Sequence, residues 1–409
     1  MKIGFLSYRS HPFSGGQGIY VRHLSNSLAR LGHEVSVISG PPYPELNENV
    51  HLIKIPSLDL FSVESRLKAF RLKFLFNPTD LIEWLGIMTG GFPEPYTFGR
   101  RVSSFFESCD VEFDIIFDNQ SLCYALLDLQ KKYPLVTTIH HPITRDHKLE
   151  LNNAKDWKEK LSTNRWHGFL RMQKKVAPEL KHVVCVSAQS KIDVQDEFNV
   201  KENRIDVVLN GIDINTFKVR KNSSVVKNRI VTTASADIPL KGLKYLISAL
   251  PNIISKQPAA HIVVIGKSPS ESSIRNLITS LGLDSKVSFH SNLSEQEVVE
   301  IYSSAEIAVI PSLYEGFGFG AGEAMSCGVP LISTTSGGLK EVIGDAAIKI
   351  KAGSSEDIED SVLDLFSDTK KQLYYAELGR ERMEKEFEWG MAAKKYIGVF
   401  QKAIDQFNK

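Results

Sequence analysis

Two glutamates in the stretch IAVIPSLYEGFGFGAGEAMSCGVPLIST, Glu315 and Glu323, stand where side-chain chemistry is easiest to place. The spacing predicts a strand ending near Pro311, then a glycine-rich loop from Glu315 to Gly318. A short helix should follow, stopped by Gly328 with Pro330 beyond it. Glycines such as Gly316 and Gly318 let the backbone approach a ligand closely, and a helix N-terminus offers unpaired N–H groups to anionic or hydroxyl oxygens. One glutamate can then reach a ligand at the helix start while the other addresses a more distant part. A second turn of the same kind, STTSGGLKEVI, places Gly337 and Gly338 at the opening of another helix. Parallel-sheet proteins hold ligands in this position, outside the carboxyl ends of strands.

The elements that must position these groups recur along the chain. Short β-branched runs alternate with helical patterns, which predicts α/β layers with parallel sheets. KIGFLSY reads as a buried strand and SHPFSGGQG as a loop. IYVRHLSNSLARLGHE places Ile19, Leu24, Leu28 and Leu31 at helical spacing with Gly32 as the stop, and EVSVIS completes a βαβ unit. FDIIFDN, PLVTTIH and HVVCVS are further strands. The pattern restarts near Arg229 with RIVTTASA, HIVVIGK, KVSFHS, IAVIPS and VPLISTT. Between the halves lies DVVLNGIDINTF, whose Asn210-Gly211 is a turn first and a hinge second. The expected domains are 1–211 and 212–388, with an amphipathic helix over 389–409 that has no strand after it and must pack on existing structure.

Residues 57–105 depart from this pattern. In SVESRLKAFRLKFLF, Val63, Leu67, Phe70 and Phe74 make an apolar stripe among Arg66, Lys68, Arg71 and Lys73. A basic amphipathic helix over 63–76 either lies in a membrane interface or buries one face like an ordinary helix. LIEWLGIMTGGFPEPYTF then reads as an insertion that either shapes a binding site or simply packs.

Length and composition bound the rest. A chain of 409 residues exceeds one ordinary core, and 42% hydrophobic with 24% charged residues suits a globular protein. The net charge of +1 gives no sign of a nucleic-acid partner. Cys109, Cys123, Cys185 and Cys327 are scattered without CxxC spacing, which argues against zinc and disulfides and fits a reducing compartment. The first apolar run is too short for a signal peptide and no stretch can span a bilayer, so the expected location is cytoplasmic. The basic stripe leaves peripheral contact with a membrane's inner face open.

Taken in order, several blocks resemble the retaining GT-B glycosyltransferases of family four. The Glu-x7-Glu signature is EGFGFGAGE, continuing into EAMxCGVP. With it stand the double glycine Gly15-Gly16, TxH ending at His140, the NGID linker, Lys241-Gly242 before a helix, and SGGLKEVI. The resemblance spans nearly the whole chain and implies two Rossmann-like α/β domains with parallel sheets facing each other across a cleft. It implies a nucleoside-diphosphate sugar as donor, a hydroxyl acceptor, no metal and no other cofactor. Under it, Glu315 accepts hydrogen bonds from donor-sugar hydroxyls, helped by backbone N–H groups around Gly316, Phe317 and Gly318. Glu323 binds the ribose hydroxyls, Lys241 neutralises the diphosphate, Gly16 brings a backbone N–H to the phosphates, and His140 sits near the transferred sugar. The leaving phosphate takes the acceptor proton in a same-face substitution, so no protein nucleophile is needed.

One departure stands out. Where the family carries Gly-Arg before Lys-Gly, this chain has Ser235 and Ala236, which removes a second phosphate cation. There is no Asp-x-Asp pair of the kind that holds a divalent ion on a diphosphate, which favours a metal-free site. Other polar candidates are weaker: Arg145 and Asp146 as acceptor ligands, His141 as the neighbour of His140, His11 and His290 at loop or strand ends, and the backbone of His290 to Leu293 for the base. A dinucleotide-dependent dehydrogenase would need a full GxGxxG and an acidic residue ending the second strand; the chain offers GGQG and Val37-Ile38-Ser39-Gly40. A non-catalytic nucleotide-sugar binder and a nucleotide-sugar epimerase remain as alternatives on the same architecture.

Overall fold

The computed structural model describes residues 1–11, 16–62, 70–108, 111–220, 224–234, 238–268 and 273–409, the side chains of Lys73 and Asn153 excepted. Gly15, Val63, Arg66, Leu67, Lys68, Cys109, Ser235 and Ala236 therefore lie outside the described residues. Two compact units form: Met1–Val208 together with Ala392–Lys409, and Leu209–Met391.

The first unit is built on seven strands: β1 (Lys2–Ser7), β2 (Glu34–Ser39), β3 (His51–Lys54), β4 (Ile115–Asn119), β5 (Leu135–Ile139), β6 (Val183–Cys185) and β7 (Ile205–Val207). They run in the order β3-β2-β1-β4-β5-β6-β7, and every pairing is parallel. Central strands of such a sheet are covered on both faces, so they read as unbroken apolar runs. Thus β1 pairs on both sides, Ile3 opposite Val35 and Ile115, and β4 is buried along its whole length. Behind β1, the helix Gly16–Arg30 buries Tyr20, Val21, Leu24 and Leu28. Leu31, expected on that stripe, is 38% exposed: the helix ends at Arg30, and the chain turns through Gly32 before Leu31 can reach the sheet. The last helix, Trp389–Phe407, contributes Tyr396 and Phe400 to the first unit's core. There the hydroxyls of Tyr20, Thr138 and Tyr396 lie within 2.7–3.1 Å of one another.

The second unit has six strands: β8 (Arg229–Thr233), β9 (His261–Ile265), β10 (Val287–His290), β11 (Ile307–Ile310), β12 (Leu331–Thr334) and β13 (Ile348–Ile350). Their order is β10-β9-β8-β11-β12-β13, again with parallel pairings throughout. Its core joins Ile230, Ile262, Val309 and Ile332 to Leu246 and Leu250 of the helix Leu243–Lys256. Both units are thus Rossmann-like α/β layers. The Asn210-Gly211 turn is pinned within this unit, since a Cβ on Gly211 would lie 2.5 Å from Trp389 Cα and the Ile212 N–H donates to the Phe387 carbonyl at 2.5 Å.

In the insertion, Leu72–Phe76 is a short 3₁₀ turn and not the end of a longer α-helix. Phe74 is buried, and the Phe70 ring lies 5.9 Å from it and 4.8 Å from Trp84, so this part of the apolar stripe packs inward. Within Leu72–Phe76, the apolar side chains of Leu72, Leu75 and Phe76 are exposed.

Candidate active site

In the second unit, β11 delivers the chain into the loop that carries Glu315. Its side chain is held from two directions: Lys241 Nζ lies 2.7 Å from Oε1, and Ser312 Oγ donates to the same oxygen at 2.9 Å. Ser312 is itself fixed, because Thr334 Oγ1 at the end of β12 donates to its carbonyl at 2.6 Å. Lys241 closes a 3₁₀ turn, Pro239–Lys241, that docks on the end of β11 through the Leu313 N–H to Leu240 carbonyl bond at 2.7 Å.

The second glycine turn packs against the first. Gly337 has φ +65°, and a Cβ there would stand 2.0 Å from the Glu315 carbonyl oxygen; one on Gly338 would stand 2.4 Å from that of Gly316. The Gly338 N–H donates to the Glu315 carbonyl at 2.8 Å. These glycines therefore let two loops interlock, which fixes the backbone of Glu315. Phe317 is a core residue, its ring 5.2 Å from Phe319, so its side chain packs rather than offering polar chemistry. Gly318, with φ +115°, starts the helix Phe319–Ser326.

Glu323 sits in that helix, beneath the loop. Its carboxyl is raised to about 7, first by removal from water and then by repulsion from Glu295; the charge of Lys241 and a hydrogen bond with Tyr302 oppose this. Tyr302 is fully buried, with Thr233 Oγ1 2.6 Å from its hydroxyl. Lys241 thus pairs with Glu315 and also acts on Glu323, and a perturbed carboxyl such as that of Glu323 is of the kind that concentrates at working sites.

In the first unit, His140 follows β5. Its Nε2 lies 2.7 Å from Asn119 Oδ1, and its backbone N–H donates to Gln120 Oε1 at 2.6 Å. Gln120 Nε2 donates to the His141 carbonyl at 2.8 Å, and Asn119 Nδ2 donates to Ser7 Oγ at 3.3 Å. Gln120 and Leu122 both have positive φ, 50° and 47°, an unusual conformation for residues with side chains and one often kept at functional sites. Burial, then the neighbouring His141, lowers the His140 imidazole to about 3. A neutral ring whose Nε2 donates to an amide oxygen presents Nδ1 as an acceptor. The Tyr20 ring meets His140 edge-on at 4.6 Å.

Gly16 opens the fifteen-residue helix Gly16–Arg30, whose first turn has no acidic residue. Arg145 is engaged with the buried carboxylate of Asp193 at 2.5 Å, and Asp146 with His141 at 3.1 Å. His290 is an exposed residue at the end of β10, with its carbonyl accepting from Gly266 N–H at 2.8 Å. Sequence reasoning passed over Asn119 and Gln120, Ser312, and Tyr302. For the first pair a signal was present, since the polar run Asn119-Gln120-Ser121 directly follows an apolar strand. Among the described residues no three His, Cys, Asp or Glu side chains gather in a way that would hold a metal ion, and no helix is long and apolar enough to cross a membrane.

Both units are parallel sheets that carry their polar clusters at the carboxyl ends of strands, Glu315 after β11 and His140 after β5. Residues 14–216 match the family model described as Glycosyltransferase Family 4, and residues 215–382 match that of Glycosyl transferases group 1. The chain is 39% identical to the MMP alpha-(1->4)-mannosyltransferase of Mycolicibacterium hassiacum over 99% of its own length and 98% of that protein's. It is 24% identical to the D-inositol 3-phosphate glycosyltransferase of Corynebacterium aurimucosum, over 99% and 96% of the two chains. Its fold matches the sucrose-phosphate synthase of Thermosynechococcus elongatus with a TM-score of 0.75 at 19% identity, covering 99% of each chain. It also matches Anabaena HepE, solved in complex with UDP and glucose, with a TM-score of 0.72 at 17% identity, covering 98% and 100%. The chain belongs to glycosyltransferase family four.

Proposed function

We propose that this glycosyltransferase is a retaining, metal-independent hexosyltransferase that moves a hexosyl unit from a nucleoside-diphosphate sugar to a hydroxyl acceptor. The Lys241–Glu315 pair carries the reading: a carboxylate on a loop interlocked with the Gly337-Gly338 turn, and a cation 2.7 Å from it on the Pro239–Lys241 turn. Lys241 neutralises the diphosphate as leaving-group charge grows, and Glu315 accepts hydrogen bonds from the sugar. Glu323 takes the ribose hydroxyls, and the N–H groups at Gly16 and around Gly316 to Gly318 assist the phosphates and the sugar. His140, neutral and held by Asn119 and Gln120, sits near the transferred sugar. The acceptor oxygen bonds to the anomeric carbon on the face the phosphate leaves, and the departing phosphate oxygen takes the acceptor's proton.

The kinship with an α-(1→4)-mannosyltransferase favours mannose as the hexosyl unit and a glycan as acceptor. Metal-stripped enzyme should be offered GDP-mannose, UDP-glucose and ADP-glucose, scoring thermal stabilisation and sugar release. Stabilisation by one donor together with transfer supports the reading. Stabilisation without turnover would favour a non-catalytic binder, and interconversion of the donor sugar an epimerase. The exposed Leu72, Leu75 and Phe76 beside Arg71 favour, as a second role, contact with an anionic lipid surface. Co-sedimentation with anionic vesicles at low salt, lost on replacing the three with Ser, is the check; a wild type that stays in the supernatant removes it.

A further inference from the structure

One aromatic cluster of the first unit gathers four rings that are all left partly open to water. Phe92, in the turn between the helices Pro78–Met88 and Glu94–Ser108, lies 5.2 Å from Trp166 with the two rings only 32° from parallel. Phe61 sits 5.8 Å from each of them, and Phe169 lies 5.6 Å from Phe92. Trp166 is 40% exposed and the three phenylalanines are half-buried. Exposed aromatic surface forfeits the gain of burial unless something covers it.

Polar contacts hold this cluster in place. Glu94, buried and two residues after Phe92, binds Arg9 at 3.1 Å; Arg101 bridges Asp80 at 2.7 Å and the buried Glu83 at 2.5 Å. Glu83 Oε1 also accepts the Leu58 N–H at 3.0 Å, tying down the segment that leads to Phe61. Arg165, next to Trp166, donates to Thr89 Oγ1 at 2.5 Å. Buried charges are costly to place; here Glu94 and Glu83 tether the segments of Phe92 and Phe61, and the exposed Arg165–Thr89 bond holds that of Trp166.

The surface adjoins the His140 network through consecutive residues. Ser7, the last residue of β1, touches Asn119; Tyr8 meets Phe92 edge-on at 6.3 Å; and the Arg9 guanidinium stands over Phe61 at 5.4 Å. Adjacent Cα atoms are about 3.8 Å apart, so one or two residues span on the order of one sugar ring.

We infer that Phe92 and Trp166, with Phe61, form a stacking subsite for a pyranose of the acceptor, one or more units from the hydroxyl that reacts. A pyranose presents a face of C–H bonds, weakly positive, to the negative face of an aromatic ring, while its rim hydroxyls can accept from guanidinium donors such as Arg9 and Arg165. An acyl chain would instead call for an aliphatic groove without a charged rim. The inference rests on the proposed glycosyl transfer and narrows its acceptor to an oligosaccharide.

The test compares methyl α-mannoside with an α-(1→4)-linked mannotetraoside as acceptors, in wild type, Trp166→Ala and Trp166→Phe. Expected are a KM for the tetrasaccharide raised about tenfold or more in Trp166→Ala, partial recovery in Trp166→Phe, and no change in KM for the donor or for the monosaccharide. Tetrasaccharide should also shift the tryptophan emission of wild type and not of Trp166→Phe. If Trp166→Ala keeps its tetrasaccharide KM, or raises both acceptor constants alike, the subsite is refuted while the transfer reaction stands. If no variant releases or transfers sugar from any donor, it is the proposed function that fails. Equal melting temperatures of the three proteins exclude misfolding as the cause.

Discussion

Lys241 Nζ lies 2.7 Å from Glu315 Oε1, so the cation and the carboxylate proposed for two different parts of one donor neutralise each other in the free protein. The Glu315 side chain is largely shielded from water and that of Lys241 less so, at 14% and 29% exposure. Deleting either partner leaves the other charge poorly compensated. A diphosphate that draws Lys241 towards itself would release Glu315 to accept sugar hydroxyls.

The first expectation follows from this division. Losing a charge-assisted hydrogen bond costs about 1.5–3 kcal/mol, or roughly one to two decades. Glu315→Ala should lower kcat/KM by that amount without weakening affinity for the nucleoside diphosphate, which the freed Lys241 can only strengthen. Lys241→Ala should weaken that affinity. Calorimetry giving the same nucleotide Kd for both variants would contradict the division of roles.

Glu323 supplies a pH dependence of known sign. Its carboxyl is raised to about 7, mainly by burial, so the protonated form is the one folding favours. The stabilising contribution is present in full below the unfolded carboxyl's pKa and is lost as pH rises through about 7. Melting temperatures of wild type should therefore fall relative to Glu323→Gln between pH 5 and pH 8. Nucleotide affinity should move the other way, strengthening with pH as the carboxylate forms to accept ribose hydroxyls. A wild-type minus variant difference that is flat across this range would remove the buried carboxyl from the account.

His140 behaves oppositely. With its imidazole lowered to about 3 by burial and by His141, it stays neutral when folded but protonates when unfolded. Its contribution is intact above the ordinary histidine range and is lost as pH falls from there. His140→Gln should reduce the acid sensitivity of the melting temperature between pH 6.5 and pH 4. Activity should show no limb near pH 6.5 that belongs to His140, which a pH–rate profile of the wild type and this variant would reveal if present.

Interlocked glycine turns make a structural expectation. Gly337→Ala places a methyl 2.0 Å from the Glu315 carbonyl at a φ of +65°, whereas Gly282→Ala at φ +67° meets nothing within 4 Å. Both pay for the left-handed backbone, about 1 kcal/mol, but only the first must also push the loop apart. Gly337→Ala should melt several degrees below Gly282→Ala and lose transfer activity that Gly282→Ala keeps. Equal melting temperatures would show that the loop yields freely.

Much of this was legible in the sequence because the informative elements are the buried ones. Central strands such as β1, β4 and β11 are covered on both faces and read as apolar runs, and the glycine loops announce themselves by composition. The strands that escaped, β3, β7 and β13, are sheet edges of three or four residues with partly exposed side chains, so no periodicity could mark them. Lys241, Glu315, Glu323 and His140 were proposed from the family pattern, and the structure sets Lys241 beside Glu315. Their supports were not, because Ser312, Tyr302, Asn119 and Gln120 act through tertiary hydrogen bonds that spacing does not encode. Leu31 failed for the converse reason: helical spacing continued in the sequence after the helix itself had ended. Gly337 and Gly338 read as ligand-approach glycines, and the structure adds the packing of one loop into another.

The measurement that bears most directly on the central claim is the anomeric configuration of the product. Exhaustively EDTA-treated enzyme, given an α-linked nucleoside-diphosphate hexose and a glycan acceptor, should form a new α-linkage, read by NMR from the one-bond C–H coupling at its anomeric carbon. Added magnesium or manganese should leave the rate unchanged. A β-linked product would contradict same-face substitution, and activity that returns only with added metal would contradict the role given to Lys241.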